Sequence, residues 1–434
     1  MNFLMRLFQG TTRSPKKRDD KVPNMTFSLR SLGQWSSHGH FASPSVVGHG
    51  EMRKEGRSFC GLRRGSSNPK KHGTRKGNAM KKKAIVVMAT VLAVFAMVCV
   101  GFAAEGIVST TIPRDVAVAA EAYWTPERMS AAIPYPMGIP GSPTDVTPAE
   151  LEKEPKGSPG LATGSATGRP SRLLDSGESV SVSEVGPASS TYPFPHTTYK
   201  VLRSSYLLYP YRTVGKVFFT KVSGGNYVCS GSSVGGRLVL TAGHCVAEGG
   251  QQQWHTNWVF VPAYRGWYTT TSSQRPYGTW SSRQKVTFSA WFYNKNWCRD
   301  VGLVVTYDVG GVKLSAKVGY LGFAWNQTRN KQHWDAFGYP SASPWDGKEM
   351  VQTEAEWARD DNPGCTPYTV GIGTSQTPGC SGGPWIKTFY PDRAGAYNYA
   401  NGVFSYYYTT QPRGMYSPYF DTVVHDLWAK YVTQ

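Results

Sequence analysis

From about Val201 to the C-terminus the chain is a succession of short β-branched and aromatic runs punctuated by Gly, Pro, Asn and Ser. The runs fall at 214–220, 227–234, 238–240, 258–262, 286–292, 301–307, 318–324, 334–339, 350–357, 384–389 and 402–408. Segments this short, bounded by turn-forming residues, predict an all-β sandwich or barrel and suit a helical bundle poorly. The period changes only at the end. Phe420, Val424, Leu427, Trp428 and Tyr431 recur at helical intervals, which predicts one closing amphipathic helix. Residues 200–434 are enough to bury a substantial core.

Upstream of this region the texture differs. The net charge of +19 suggests a polyanion partner, but residues 1–79 hold 16 Lys/Arg against 4 Asp/Glu. Lys81, Lys82 and Lys83 follow them, so the remainder is nearly charge-balanced and no nucleic-acid groove is expected. Those lysines precede an apolar run from Ala84 to Val100 and then Gly101-Phe102-Ala103-Ala104. Basic, apolar and small-residue regions in that order predict a secretory signal over 80–104, cut after Ala103 or Ala104. A membrane role follows only if the segment is retained. A signal at Met80 implies that 1–79 is a basic leader produced by a start placed too far upstream. Residues 105–199 are rich in Pro, Gly, Ser and Thr, show no sustained apolar period, and read as a propeptide and linker too polar to order themselves. Within them, Thr125 before Pro126 marks a helix start.

Two motifs carry chemistry. Leu238-Val239-Leu240-Thr241-Ala242-Gly243-His244-Cys245 runs a buried strand into a histidine, and Pro378-Gly379-Cys380-Ser381-Gly382-Gly383-Pro384-Trp385 flanks a serine with glycines. Singly, each has an ordinary structural reading as a satisfied histidine or a turn. Together, in this order, they resemble the signatures of trypsin/chymotrypsin-like serine proteases over about residues 200–434. The likeness is to secreted bacterial trypsin-like and glutamyl-endopeptidase-like enzymes, whose prosegments also resemble Tyr123-Trp124-Thr125-Pro126-Glu127-Arg128-Met129. The resemblance implies two six-stranded antiparallel β-barrels with a C-terminal helix. It implies a triad of His244, Asp300 and Ser381, in which the histidine is the base that a weakly nucleophilic hydroxyl requires. Asp300 is chosen because it opens the apolar run Val301-Gly302-Leu303-Val304; Asp308 and Asp335 are its rivals. The amides of Gly379 and Ser381 would form the oxyanion hole.

By the same resemblance Cys229 and Cys245, sixteen positions apart, form the bridge holding the histidine loop. Cys365 with Cys380 is expected as the second pair, leaving Cys298 free unless it takes Cys365 instead. Trypsin-like zymogens carry an aspartate immediately before the nucleophile. Cys380 stands there, so the resemblance does not carry that activation switch over. The specificity pocket maps to Ser375, Gln376, Phe404, Ser405 and Tyr407. Ser375 supplies no acid for Lys or Arg, and Phe404 stands where glutamyl endopeptidases place a histidine, so an apolar or aromatic P1 residue is expected.

The expected function is therefore a secreted, monomeric serine endopeptidase acting on protein or peptide substrates. No cofactor is expected, and no metal either, since the other eight histidines form no ligand triplet. The alternatives are a non-catalytic binding protein on the same fold or a membrane-tethered surface protease.

Overall fold

The computed structural model describes residues 105–167 and 194–434. The basic leader, the signal and residues 168–193 of the expected linker lie outside the described residues.

Six strands close into an antiparallel barrel: Val214–Thr220, Asn226–Ser233, Leu238–Thr241, Thr256–Pro262, Trp280–Phe288 and Gly302–Thr306. The ring closes because the Trp280–Phe288 strand pairs with both Thr256–Pro262 and Gly302–Thr306. Val214, Phe218, Val228, Leu240, Val286 and Leu303 point inward and are fully or nearly fully buried. Burying side chains of this size stabilises by about 1.5–3 kcal/mol each.

The second half is a larger β-sheet of eleven strands, built around the long strand Val351–Asp361 and including Thr369–Gly373, Gln411–Ser417, Pro384–Lys387 and Tyr399–Val403. It exceeds six strands partly because three short strands from the upstream segment join it: Gly138–Ile139, Gly160–Ala162 and His196–Lys200. The chain ends in the helix Thr422–Tyr431, whose N-cap Asp421 accepts the Val424 N–H at 3.0 Å. Val424, Leu427 and Tyr431 are buried, while Trp428 and Phe420 stack on Phe323 at 4.9 and 5.2 Å.

Residues 105–167 correct the expectation of an unordered linker. The strand Ile107–Thr111 pairs with Trp280–Phe288, and the helix Arg114–Tyr123 buries Ala117 and Ala120. Trp124 is 1% exposed, its ring 5.4 Å from Phe218. Thr125 caps the helix Pro126–Ala131, accepting the Arg128 N–H at 3.3 Å. The apolar residues of this segment are single anchors pressed into a surface already formed by the barrel. They therefore need no period of their own, which is why none is seen.

Two of the expected boundaries moved. The expected run 318–324 divides into the helix Leu314–Val318 and the strand Gly322–Trp325, parted at Gly319 with φ 76°. The run 286–292 leaves its strand at Phe288 and continues as the helix Ser289–Asn294. Among the described residues no helix is long and apolar enough to cross a membrane.

Candidate active site

His244 sits in a single tight turn, Gly243–Cys245, entered directly from the Leu238–Thr241 strand, and is 1% exposed. Its Nδ1–H donates to Asp300 Oδ2 at 2.7 Å, and its backbone N–H donates to Asp300 Oδ1, also at 2.7 Å. Asp300, fully buried, thus fixes both the ring and the loop that carries it. The approach is close enough to require Gly243: a Cβ there would lie 2.9 Å from Asp300 Oδ1 and 2.9 Å from the Trp291 ring. A third donor, Ser405 Oγ, reaches Asp300 Oδ2 at 2.5 Å. The rival aspartates are engaged elsewhere, Asp308 with Arg237 at 2.6 Å and Asp335 with Gln352 at 2.7 Å.

Beneath this pair lies a second histidine. His255 Nε2 donates to the His244 carbonyl at 2.9 Å, and the His255 ring stacks on Phe219 at 4.3 Å. Burial pushes its pKa down to about 3, so it is neutral and acts as a fixed donor beneath the His244 loop.

Ser381 follows Cys380 in the second sheet half and is fully buried. Gly379 has φ 109° and Gly382 φ 76°, conformations that favour glycine on either side of the serine. A Cβ on Gly382 would lie 2.1 Å from Thr241 Oγ1 and 2.7 Å from the Ala242 backbone nitrogen, so the serine loop packs against the strand that ends at His244. The Ser230 N–H donates to the Ser381 carbonyl at 2.7 Å and Ser230 Oγ to the Gly379 carbonyl at 2.9 Å. Among the described residues the Gly379 and Ser381 amides make no backbone hydrogen bond. His244 Nε2 has no partner there either, while Ser381 Oγ donates to the Met137 sulfur at 3.3 Å.

The expected pocket residues are placed differently from one another. Phe404 is fully buried, edge-on to Trp385 at 5.7 Å, and shares an apolar cluster with Met137, Cys380 and Met415. Tyr407 is half-buried and donates its N–H to the Met137 carbonyl at 3.3 Å. Ser375 Oγ faces His196 Nε2 at 2.8 Å. Gln376 turns into the sheet, its amide donating to the Ala336 carbonyl at 3.0 Å. Ser405, expected in the pocket wall, instead turns its hydroxyl to Asp300.

The expected Cys365–Cys380 bridge is not formed, and the alternative left open for Cys298 is the one the structure takes. Cys229 is bonded to Cys245, but Cys365 is bonded to Cys298 and not to Cys380. Cys380 is a buried free thiol 3.7 Å from the Met415 sulfur, and burial pushes its pKa up. The bridge therefore ties the turn just before Asp300 to the loop at 362–368. Cys229, His244 and Cys245 come within 4.8 Å of one another, but both sulfurs are consumed in the disulfide and are not thiolate ligands.

The family profile described as Trypsin matches residues 213–423. The protease Anisep from Arthrobacter nicotinovorans is 35% identical, the match covering 51% of this chain and 96% of that one, with a TM-score of 0.45. The thermostable serine protease AL20 from an extremophilic microorganism is 31% identical over 51% of this chain and 98% of its own, with a TM-score of 0.44. A Glu endopeptidase is 16% identical over 55% and 97%, with a TM-score of 0.43. No curated protein matches. Identity above 30% along nearly the full length of two proteases, together with the family profile, settles the class: the chain belongs to the trypsin-like serine proteases and is a serine endopeptidase.

Proposed function

We propose that this protein is a secreted endopeptidase in which His244, Asp300 and Ser381 form the catalytic triad and cleave peptide bonds through an acyl-enzyme. Ser381 Oγ attacks the scissile carbonyl carbon as its proton passes to His244 Nε2. The carbonyl oxygen becomes an oxyanion and takes the Gly379 and Ser381 amides as donors. Asp300 holds the imidazole with Nε2 unprotonated and stabilises the cation once Nε2 is charged. Collapse of the intermediate breaks the C–N bond, the amine leaves with the proton from His244, and an ester to Ser381 remains. Water, deprotonated by His244, then hydrolyses that ester and restores the hydroxyl.

The observation that carries this reading is the buried Asp300 carboxylate accepting both the side chain and the backbone of His244 at 2.7 Å. A histidine placed for packing alone does not need its tautomer and its loop fixed by one carboxylate. Secretion is supported by the signal pattern at 80–104 and by the Cys229–Cys245 and Cys298–Cys365 disulfides, a linkage that belongs to oxidising compartments. The apolar surroundings of Phe404 and Met415 support an apolar or aromatic P1 residue. The test is hydrolysis of an unfolded protein by processed material from culture medium. Activity that disappears in both Ser381→Ala and His244→Ala supports the triad, and activity retained in either refutes it.

A further inference from the structure

The stretch from Ile133 to Ile139 crosses the cleft between the two β halves, over both His244 and Ser381. Ile133 and Pro134 pair in parallel with Tyr227 and Val228, and the Tyr135 N–H donates to the Val228 carbonyl at 3.2 Å. The Tyr135 ring then stacks on His244 with centroids 5.0 Å apart and planes at 27°, and its hydroxyl donates to Glu248 at 2.8 Å. Two residues on, Met137 is 1% exposed in the cluster of Cys380, Phe404 and Met415, with its sulfur on Ser381 Oγ. Its carbonyl takes the Tyr407 N–H, and the Ile139 carbonyl takes the Thr409 N–H at 3.0 Å. Gly138 and Ile139 pair in parallel with Tyr407 and Tyr408, and a Cβ on Gly138 would lie 2.9 Å from the Tyr407 ring.

This is the contact set of a bound peptide: strand pairing on both walls, one side chain over the base, and one filling an apolar pocket beside the nucleophile. It differs from a substrate at the point that matters. Ser381 Oγ meets a thioether sulfur, which offers no electrophilic carbon and no leaving group, so no acyl transfer can start from this arrangement. The segment is also held from both sides. Upstream, Trp124 is buried and its Nε1–H donates to the Asn257 carbonyl at 2.6 Å; downstream, the Thr144 N–H donates to Asp361 at 2.6 Å. Tethering at both ends keeps the effective concentration of the occupant high.

We propose that Ile133–Ile139 is a built-in inhibitor that fills the substrate cleft, with Met137 occupying the pocket that takes the substrate's P1 side chain. The proposal rests on the triad reading above. It places latency in a strap across the cleft and not in the residue before the nucleophile, where Cys380 stands. It also gives the pocket a ligand class: an apolar side chain of about methionine size.

The test compares full-length protein with protein from which the upstream segment has been removed, reading the rate of fluorophosphonate labelling at Ser381. The full chain should label at least about tenfold more slowly, and Met137→Asp in the full chain should recover most of that difference. A synthetic peptide of residues 132–141 should inhibit the processed enzyme competitively and remain uncut, and its Met137→Asp form should not inhibit. The peptide arm stands even where the variant chain fails to fold. Equal labelling of the two forms, or cleavage of the peptide at the Met137 bond, overturns the inhibitor while leaving the triad intact. Absence of labelling in both forms overturns the triad reading and this proposal with it.

Discussion

Ser405 Oγ donates to Asp300 Oδ2 at 2.5 Å, on the same carboxylate oxygen that takes the His244 Nδ1–H at 2.7 Å. One buried oxygen thus serves the two halves of the molecule, with the histidine from the closed barrel and the serine from the larger sheet. The carboxylate is held by three donors, and each fixes a different part of the site.

Removal of the Ser405 hydroxyl should therefore lower kcat by about tenfold with little change in KM, since a hydrogen bond to a charged group contributes about 1.5–3 kcal/mol. Asp300→Asn should cost far more, about 10⁴ in kcat, because an amide in this position favours the wrong imidazole tautomer. Steady-state kinetics on the processed enzyme separate the two cases. Equal losses in both variants would show that Ser405 is as essential as the carboxylate.

The Cys298–Cys365 bridge closes a loop across a separation of 67 residues and anchors the turn before Asp300. On the chain-entropy account its removal by Cys298→Ser with Cys365→Ser should destabilise by about 4 kcal/mol, measured by denaturant unfolding. Peptide mapping should find Cys298 linked to Cys365. Cys380 should resist alkylation in the native protein and react only after unfolding, since its thiol is buried and its pKa raised.

Lys216 is buried, donating to the Gly347 carbonyl at 2.7 Å, and burial pushes its pKa down from 10.5 to about 7. Lys285 is buried likewise, with the same shift to about 7. A folded-state pKa depressed in this way favours the neutral amine. The stability it carries is complete above 10.5 and is lost progressively as pH falls toward about 7. Stability measured by denaturant unfolding should therefore rise between pH 7 and 10 by about a few kcal/mol, and Lys216→Met should flatten the rise.

The apolar cluster around Phe404 and Met415 predicts a preference for Met, Leu or Phe at P1. A matrix of P1-varied peptides should rank these above Arg and Glu by kcat/KM. Best cleavage after Arg or Glu would contradict the pocket assignment.

The legible parts of this fold were those with local causes. The 214–220 run is a strand over those same residues, and the apolar run before His244 is a strand that leads into the turn carrying the histidine. Strands rich in glycine or proline were not legible. Thr369–Gly373 and Gln411–Ser417 carry turn-forming residues inside paired strands, where burial and pairing outweigh propensity. Cys298 and Cys365 are joined by tertiary approach alone, which no spacing along the chain encodes. Ser405 read as a pocket residue because its position in the chain says nothing of where its hydroxyl points. Tyr135 and Met137 lay hidden for a related reason: their partners, His244 and Ser381, are more than a hundred residues away and belong to opposite halves of the fold.

The central claim is that Ser381 is an activated nucleophile driven by His244. It is tested most directly by treating processed protein with a fluorophosphonate probe and mapping the label by mass spectrometry. The structure predicts a single label on the peptide containing Ser381, absent from Ser381→Ala and slowed by orders of magnitude in His244→Ala. A folded, processed protein that takes no label, or a label that survives Ser381→Ala, would contradict it.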